Sequence, residues 1–233
     1  GRKGSLGRQF LFAALSQAII SPVIGQLMDF VSKNYGNGEP NYLVAFIAHD
    51  IFILIGMALL VFTNLDVQLP KSSGFKDVKK IFRDIDNCVL LILMFIIGSL
   101  WGFIETFLFV YLKEDMGAPM YLLGLTITVG AVVSIPFLYI ADYIVDRIGQ
   151  TNIFIIALLT YSVRYVGYSY ITNPWHAFPF EAMEIFTLNL FKIACTQYVG
   201  EKAPPGLLAT LNGLVGCVHY GLGKGNFFFS CPS

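Results

Sequence analysis

The chain has 233 residues, of which 56% are hydrophobic and only 13% are charged, and its mean hydropathy is +0.68. These values are more apolar than one soluble core requires, so an ordinary soluble domain is excluded. The formal net charge is zero and indicates no class of partner. The 21 Phe and 12 Tyr fall in long apolar windows rather than alternating strands, which predicts an all-α membrane protein.

Seven segments are apolar over the roughly 20 residues that a helix needs to cross a bilayer. They are residues 9–29, 42–63, 88–112, 121–141, 151–172, 175–198 and 207–229. The last segment is rich in glycine, a composition that favours close helix contacts in lipid.

One long polar linker separates the second predicted span from the third. Within it, apolar residues recur at helical spacing: Phe75, Val78, Ile81, Phe82 and Ile85. Basic residues occupy the opposite face, so the pattern predicts a short amphipathic helix that lies in the membrane surface. A solvated charged linker is the alternative.

Lys and Arg residues are unevenly distributed over the predicted loops. One side of the membrane receives ten of them: Arg2, Lys3, Arg8, Lys71, Lys76, Lys79, Lys80, Arg83, Arg147 and Lys202. The other side receives only Lys33 and Lys113. Because basic residues concentrate in cytosolic loops, we expect the long linker to be cytosolic and the third span to run outward.

The segment ADYIVDRIGQ, residues 141–150, follows the fourth span on the cytosolic side. Its pattern resembles the G-x-x-x-D-[RK]-x-G loop of the major facilitator superfamily, with Asp142 in place of the first Gly and Gln150 in place of a basic residue. By this resemblance the loop is the second copy of the motif, and Asp142, Asp146, Arg147 and Gly149 form a conformational latch that holds the outward-open state. An ordinary capped turn is the alternative.

Further segments carry the same resemblance. GRKGSLG is similar to the start of the fifth helix in lactose-permease-like members. LWGFIETFLFVYL, YSVRYVGYSYITNPW, APPGLLAT and HYGLGKG together resemble the branch called major facilitator superfamily domain-containing protein 6.

The resemblance implies the major facilitator superfamily fold, incomplete, with helices 5 to 11 of twelve and with helices 1 to 4 and 12 outside this sequence. Residues 1–66 are then the last two helices of the N-terminal bundle, 67–87 a cytosolic linker with an amphipathic helix, and 88–233 the C-terminal bundle. It also implies a plasma-membrane location.

Ionisable residues inside the predicted spans are the candidate functional groups, since a charge at the bilayer centre costs about 2.5–3.5 kcal/mol. At about 1.5 Å per residue, Glu105, Arg164 and Glu184 share one layer outward of the membrane middle. Arg164 is expected to hold one carboxylate while the other exchanges a proton or meets a solute. A static pair that fixes helix packing is the alternative. Glu181 is expected to snorkel toward the outer interface.

Two further residues complete the predicted solute or proton pathway. Lys192 shares a helical stripe with Glu184 and is expected to line the inner cavity. His219 lies near the centre of the last span, and its ordinary pKa near 6.5 makes it a candidate proton carrier. A hydrogen-bonded packing residue is the alternative for His219.

The sequence contains no signature of catalysis or of a bound cofactor. GLGKG, residues 221–225, lacks the P-loop spacing, and neither HExxH nor GxSxG occurs. The four cysteines form no CxxC metal site and no disulfide framework. We expect no enzyme, no cofactor, no metal and no nucleic-acid partner.

These observations predict a secondary active transporter that moves a small solute across the lipid bilayer by alternating access, with symport of protons through Glu105, Glu184 or His219. A cell-surface receptor or binding protein that kept the transporter fold without transporting is the first alternative, because fold alone does not fix function. A seven-helix signalling receptor is the second.

Overall fold

The structure, a computed structural model, describes residues 6–35, 42–63, 75–204 and 206–227. All regular structure in this part of the chain is helical. The helices are α1 (Leu6–Tyr35), α2 (Leu43–Phe62), α3 (Phe75–Arg83), α4 (Ile85–Phe103), α5 (Met120–Tyr139), α6 (Ala141–Ile148), α7 (Gln150–Ser169), α8 (Phe178–Ala182), α9 (Leu190–Lys202) and α10 (Leu208–Gly216). Every predicted span therefore contains a helix.

Four of the described helical segments are long and apolar enough to cross a membrane. They are Gly7–Asn34, Leu43–Phe62, Ile85–Asp115 and Met120–Tyr139. The other three predicted spans correspond to α7, to α8 with α9, and to α10 with the turns that follow it. The segment of α8 and α9 is interrupted at Met183, and α10 with the π-helical turn after it ends at Gly223, so neither is one long regular helix.

Several predicted helix boundaries are wrong. The third span begins at Ile85 rather than at residue 88, because Asp84 is extended and its carboxylate accepts a hydrogen bond from the Asp86 N–H as an N-cap. The sixth span is not one regular helix: a 3₁₀ turn at Pro174–Ala177 precedes α8, and a π-helical turn at Ile185–Asn189 separates α8 from α9.

The predicted amphipathic helix in the linker is present as α3, which ends at Arg83 and does not include Ile85. Ile81 is fully buried against the bundle, whereas Phe82 is half exposed. Ile85 belongs to α4 and is exposed. The remaining linker residues, 64–74, lie outside the described part of the chain, and so do the side chains of Phe75 and Val78.

The helices α1 and α5 pack closely. A Cβ added to Gly25 would lie 2.6 Å from the Met120 carbonyl oxygen, and one added to Gly124 would lie 2.6 Å from the Ser21 carbonyl oxygen. The two backbones therefore touch, as small residues permit in membrane helices. The paired helices form one wall of the interior.

A proline in α1 adds a polar contact to this interface. Pro22 has no N–H, which leaves the carbonyl of Ala18 without its helical donor. The Thr128 hydroxyl lies 3.1 Å from that carbonyl oxygen and 3.0 Å from the Gly124 carbonyl oxygen of its own helix. In lipid a freed carbonyl needs such a partner, so Thr128 stabilises α1 against α5.

A second wall is formed where α4 meets the helical turns of residues 217–227, which follow α10 and are called the last helical segment below. A Cβ added to Gly223 would lie 2.9 Å from the Gly98 Cα, and one added to Gly102 would lie 2.9 Å from the Lys224 Cα. The Lys202 ammonium at the end of α9 donates to the Asp86 carboxylate at the start of α4, at 2.8 Å. This hydrogen bond raises the pKa of Lys202.

Candidate functional site

A small cavity of about 100 Å³ lies between α1, α4, α5, α7 and α8. This volume accommodates several water molecules. Its polar lining comprises Gln17, Glu105, Arg164, Glu181 and Glu184. The structure thus brings the three ionisable residues predicted to share a layer, Glu105, Arg164 and Glu184, to the wall of one cavity.

Arg164, on α7, is buried, with only 3% of its surface exposed. Its guanidinium donates from Nη2 to Glu181 Oε1 at 2.9 Å and from Nη1 to the Thr187 hydroxyl at 2.9 Å. It also donates to the Tyr168 hydroxyl, at 2.9 Å from Nη2 and 3.2 Å from Nε. Arg164 is therefore held on three sides, and its charge is neutralised by Glu181.

The expectation for Glu181 is wrong. This residue is 5% exposed and does not reach the outer interface. Its carboxylate accepts a hydrogen bond from the Tyr168 hydroxyl as well as from Arg164. The 3₁₀ turn before α8 and the irregular turn after it direct Glu181 inward, which a regular helix over residues 175–198 does not predict.

Glu105 has a partner that the sequence analysis did not identify. The Lys224 ammonium lies 2.5 Å from Glu105 Oε2, without the angle of a hydrogen bond. The same ammonium lies 4.2 Å from the centre of the Trp101 ring, a distance at which a cation and an aromatic face attract. Lys224 thus joins the last helical segment to α4 through a charge pair and a ring contact.

Glu184 is the carboxylate of this cavity that forms no ion pair with any residue in the described ranges, although Arg164 and Glu181 line the same cavity. Its Oε2 occupies a notch on α5 at Gly130, where an added Cβ would overlap it. Gly130 therefore makes room for a free carboxylate at the cavity wall.

Three of the candidate residues lie in or beside π-helical turns. Glu105 lies within the turn Ile104–Leu108, Glu184 immediately precedes Ile185–Asn189, and His219 lies within Cys217–Gly223. A π turn widens the helix and shifts the register of the following side chains, and such turns occur frequently at functional sites. Periodicity at 3.6 residues does not reveal them.

Lys192 and His219 do not line this cavity. The Lys192 ammonium lies 5.6 Å from the centre of the Trp101 ring and 5.9 Å from the centre of the Tyr220 ring. His219 is 4% exposed and stacks on Trp101 with ring centres 5.8 Å apart. Its Nδ1 lies 3.3 Å from the Met94 carbonyl oxygen, which fixes the ring.

The predicted latch residues lie on and after α6. Gly149 has φ +88° and joins α6 to α7. Asp142 accepts a hydrogen bond from Gln197 on α9 at 3.3 Å. Asp146 and Arg147 are exposed, and neither forms an ion pair with any residue that the structure describes. The start of α1 contacts this region, since Gly7 packs against Leu138 and Ala141.

A family model described as "MFS_1 like family" matches residues 1–226. The chain belongs to the MFS_1-like family. This membership and the four apolar helices confirm the predicted all-α membrane fold of the major facilitator superfamily, and they make the chain part of an integral membrane protein.

Curated relatives of this family member are similar at low identity. An "Uncharacterized transporter YwbF" of Bacillus subtilis (strain 168) is 25% identical over 185 residues, which cover 77% of this chain and 46% of that protein. A "Maltose permease" of Geobacillus stearothermophilus is 23% identical over 222 residues, 94% of this chain and 54% of that protein. An "Uncharacterized MFS-type transporter YqjV" of Bacillus subtilis (strain 168) is 28% identical over 111 residues, 46% of this chain and 27% of that protein. The chain spans about half the length of the first two.

The sequence analysis of this MFS_1-like chain missed Gly130 and Lys224 and misplaced Glu181. A signal was present for Glu181 and Lys224, because both are charges inside predicted apolar spans and therefore require partners. Gly130 emerges only from the packing of α5 against its neighbours.

Proposed function

We propose that the protein is a secondary active transporter of a small solute, and that Glu184 is its proton-exchanging group. The observation that carries this proposal is the pairing of charges around the cavity. Arg164 is neutralised by Glu181 and Glu105 faces Lys224, whereas Glu184 forms no ion pair with any described residue. A carboxylate in this position can take up a proton without breaking an ion pair.

The cavity supplies a reason for coupling. A partly buried carboxylate that forms no ion pair is stabilised by protonation or by a cationic or hydrogen-bonding group of a solute. Binding of a solute group to Glu184 and protonation of Glu184 therefore influence one another through the same carboxylate. Alternating access of two helical bundles then converts a proton gradient into solute movement.

The finer assignments are part of this proposal. The chain contributes helices 5 to 11 of a twelve-helix protein of the plasma membrane, from the branch called major facilitator superfamily domain-containing protein 6. Residues 1–66 and 88–233 then belong to different bundles, joined by the cytosolic linker 67–87. The resemblance of the motifs supports these assignments, and the transporter names of the relatives support transport over catalysis.

Reconstitution of the full-length protein in proteoliposomes tests the function. A panel of sugars, amino acids and nucleosides is screened for uptake under an inward proton gradient; maltose is included because one relative is named a maltose permease. We expect Glu184→Gln to lose gradient-driven accumulation and to keep solute counterflow, which needs no net proton movement.

The matched control for this experiment is Glu201→Gln, which removes an exposed carboxylate from the same α8–α9 segment. Accumulation by this variant should equal that of the wild type. Gradient-driven accumulation that survives in Glu184→Gln contradicts the role of Glu184. The absence of uptake for every solute, by wild-type protein that is folded and correctly inserted, contradicts transport and favours a binding protein on the same fold.

A further inference from the structure

A carboxylate in α1 caps the first turn of α5. Asp29 accepts hydrogen bonds from the backbone N–H of Met120 to Oδ1 at 3.1 Å and from that of Tyr121 to Oδ2 at 2.9 Å. Asp29 and the two residues that it caps are more than 90 residues apart in sequence, and the sequence analysis assigned no role to Asp29.

The cap is required by the way α5 begins. Pro119 occupies its N-cap position and offers no side-chain acceptor. The first N–H groups of a helix have no partner within the helix, and the positive end of the helix dipole attracts an anion. Asp29 supplies both the acceptors and the charge from a neighbouring helix, so the start of α5 depends on α1.

The surrounding packing places Asp29 where it can act. Gly25 lies one helical turn before Asp29 and allows the α1 backbone to touch Met120. The same helix pair is in contact near its middle, through Thr128 and Ala18, and at its other end, where Gly7 meets Leu138. The helices α1 and α5 are therefore in contact from the Asp29 end to the Gly7 end.

We propose that Asp29 is the outer gate residue, a positioning group whose bond to α5 must break before the outer side can open. This inference rests on the proposed function, which assigns α1 and α5 to different rocking bundles. On the predicted topology, Asp29 lies toward the outside and Gly7 toward the cytosol. Opening to the outside separates Asp29 from Met120 and Tyr121, while the inner contact at Gly7 is kept.

The test measures distances by electron paramagnetic resonance in the full-length protein in nanodiscs, after replacement of the native cysteines. Spin labels at Lys33→Cys and Tyr170→Cys report the outer ends of the two bundles, and labels at Gln9→Cys and Thr151→Cys report the inner ends. All four positions are exposed. The measurement needs no solute and no transport.

We expect Asp29→Ala to raise the ratio of long to short outer distances about fivefold, the effect of losing one typical helix cap. Inner distances should not lengthen. Asp29→Asn keeps one acceptor oxygen and should give a smaller increase in this ratio. If the alanine variant does not fold, the same distances are measured in Asp29→Asn. Asp115→Ala is the matched control, because it removes an exposed carboxylate near the same end of the bundle, and should leave both distances unchanged.

Unchanged outer distances in a folded Asp29→Asn or Asp29→Ala protein overturn the gate, whatever the transport assays give. Equal lengthening at the inner and outer ends also overturns it, since that result means general loosening of the α1 and α5 contact. An outer-only response in a protein that transports no solute keeps the gate and removes the proposed function.

Discussion

Arg164 on α7 and Glu181 on α8 form a buried ion pair, with Nη2 and Oε1 2.9 Å apart and less than a tenth of either side chain exposed. The pair fixes two helices at the cavity wall and removes Arg164 as a free cation. Because Glu181 is held in this pair, it is not the carboxylate of the cavity that is available for proton exchange.

Breaking this pair on one side should destabilise the protein strongly. We expect Arg164→Met or Glu181→Met to lower the free energy of unfolding by about 3–5 kcal/mol, because each leaves a buried charge without a partner. The double variant should recover most of that loss, since replacing both charges by apolar groups is often nearly neutral. Unfolding by SDS titration in mixed micelles measures all three.

The exposed Arg147→Met variant is the control for this cycle, and its unfolding should match that of the wild type. Additive losses in the double variant contradict the pairing, because independent residues sum and partners do not.

The sequence predicted the membrane helices well and the charge pairing poorly. Apolar windows of about 20 residues locate α1, α2, α4, α5 and α7 because lipid selects for length and hydropathy. Which charged residues pair depends on the direction in which each side chain points around its helix. Depth in the membrane, counted along a regular helix, does not give that direction. The π turns at Ile104–Leu108 and Ile185–Asn189 change that rotation at the positions in question.

Gly130 should be essential for the position of the Glu184 carboxylate. We expect Gly130→Ala to reduce proton-driven accumulation at least about tenfold without loss of folded protein, because the new methyl group displaces Oε2 from its notch. Adding Glu184→Asp should restore part of the activity, since the shorter side chain withdraws the carboxylate. Uptake in proteoliposomes measures both variants.

Gly213→Ala serves as the matched substitution, as no atom lies within 4 Å of a Cβ at that position. Accumulation by this variant should equal that of the wild type. Normal proton-driven accumulation by Gly130→Ala contradicts the role of the notch.

The contact between α4 and the last helical segment should be sensitive to a single methyl group. A Cβ on Gly98 would overlap the His219 carbonyl oxygen, so Gly98→Ala should lower the free energy of unfolding by about 1–3 kcal/mol. Gly56→Ala, on the exposed helix α2, meets nothing within 4 Å and should not destabilise. SDS titration distinguishes them; equal stability of the two variants contradicts this close contact.

Glu105 and Lys224 should be exchangeable. In the double variant Glu105→Lys with Lys224→Glu the opposite charges still face each other, and we expect more than half of the folded yield and uptake to return relative to either single change. The single changes should cost less than those at Arg164, because 40% of the Glu105 side chain is exposed. Fluorescence-detected size-exclusion chromatography measures the folded yield, and proteoliposomes measure uptake. A double variant with lower folded yield and uptake than both single variants contradicts the pair.

The most direct test of the account is the protonation of Glu184 itself. Infrared difference spectroscopy of the full-length protein, recorded on addition of the transported solute, follows the carbonyl stretch of a protonated carboxyl group. The account predicts a solute-induced band that Glu184→Gln removes and that Glu105→Gln and Glu201→Gln retain. A band that persists in Glu184→Gln and disappears in Glu105→Gln would contradict it.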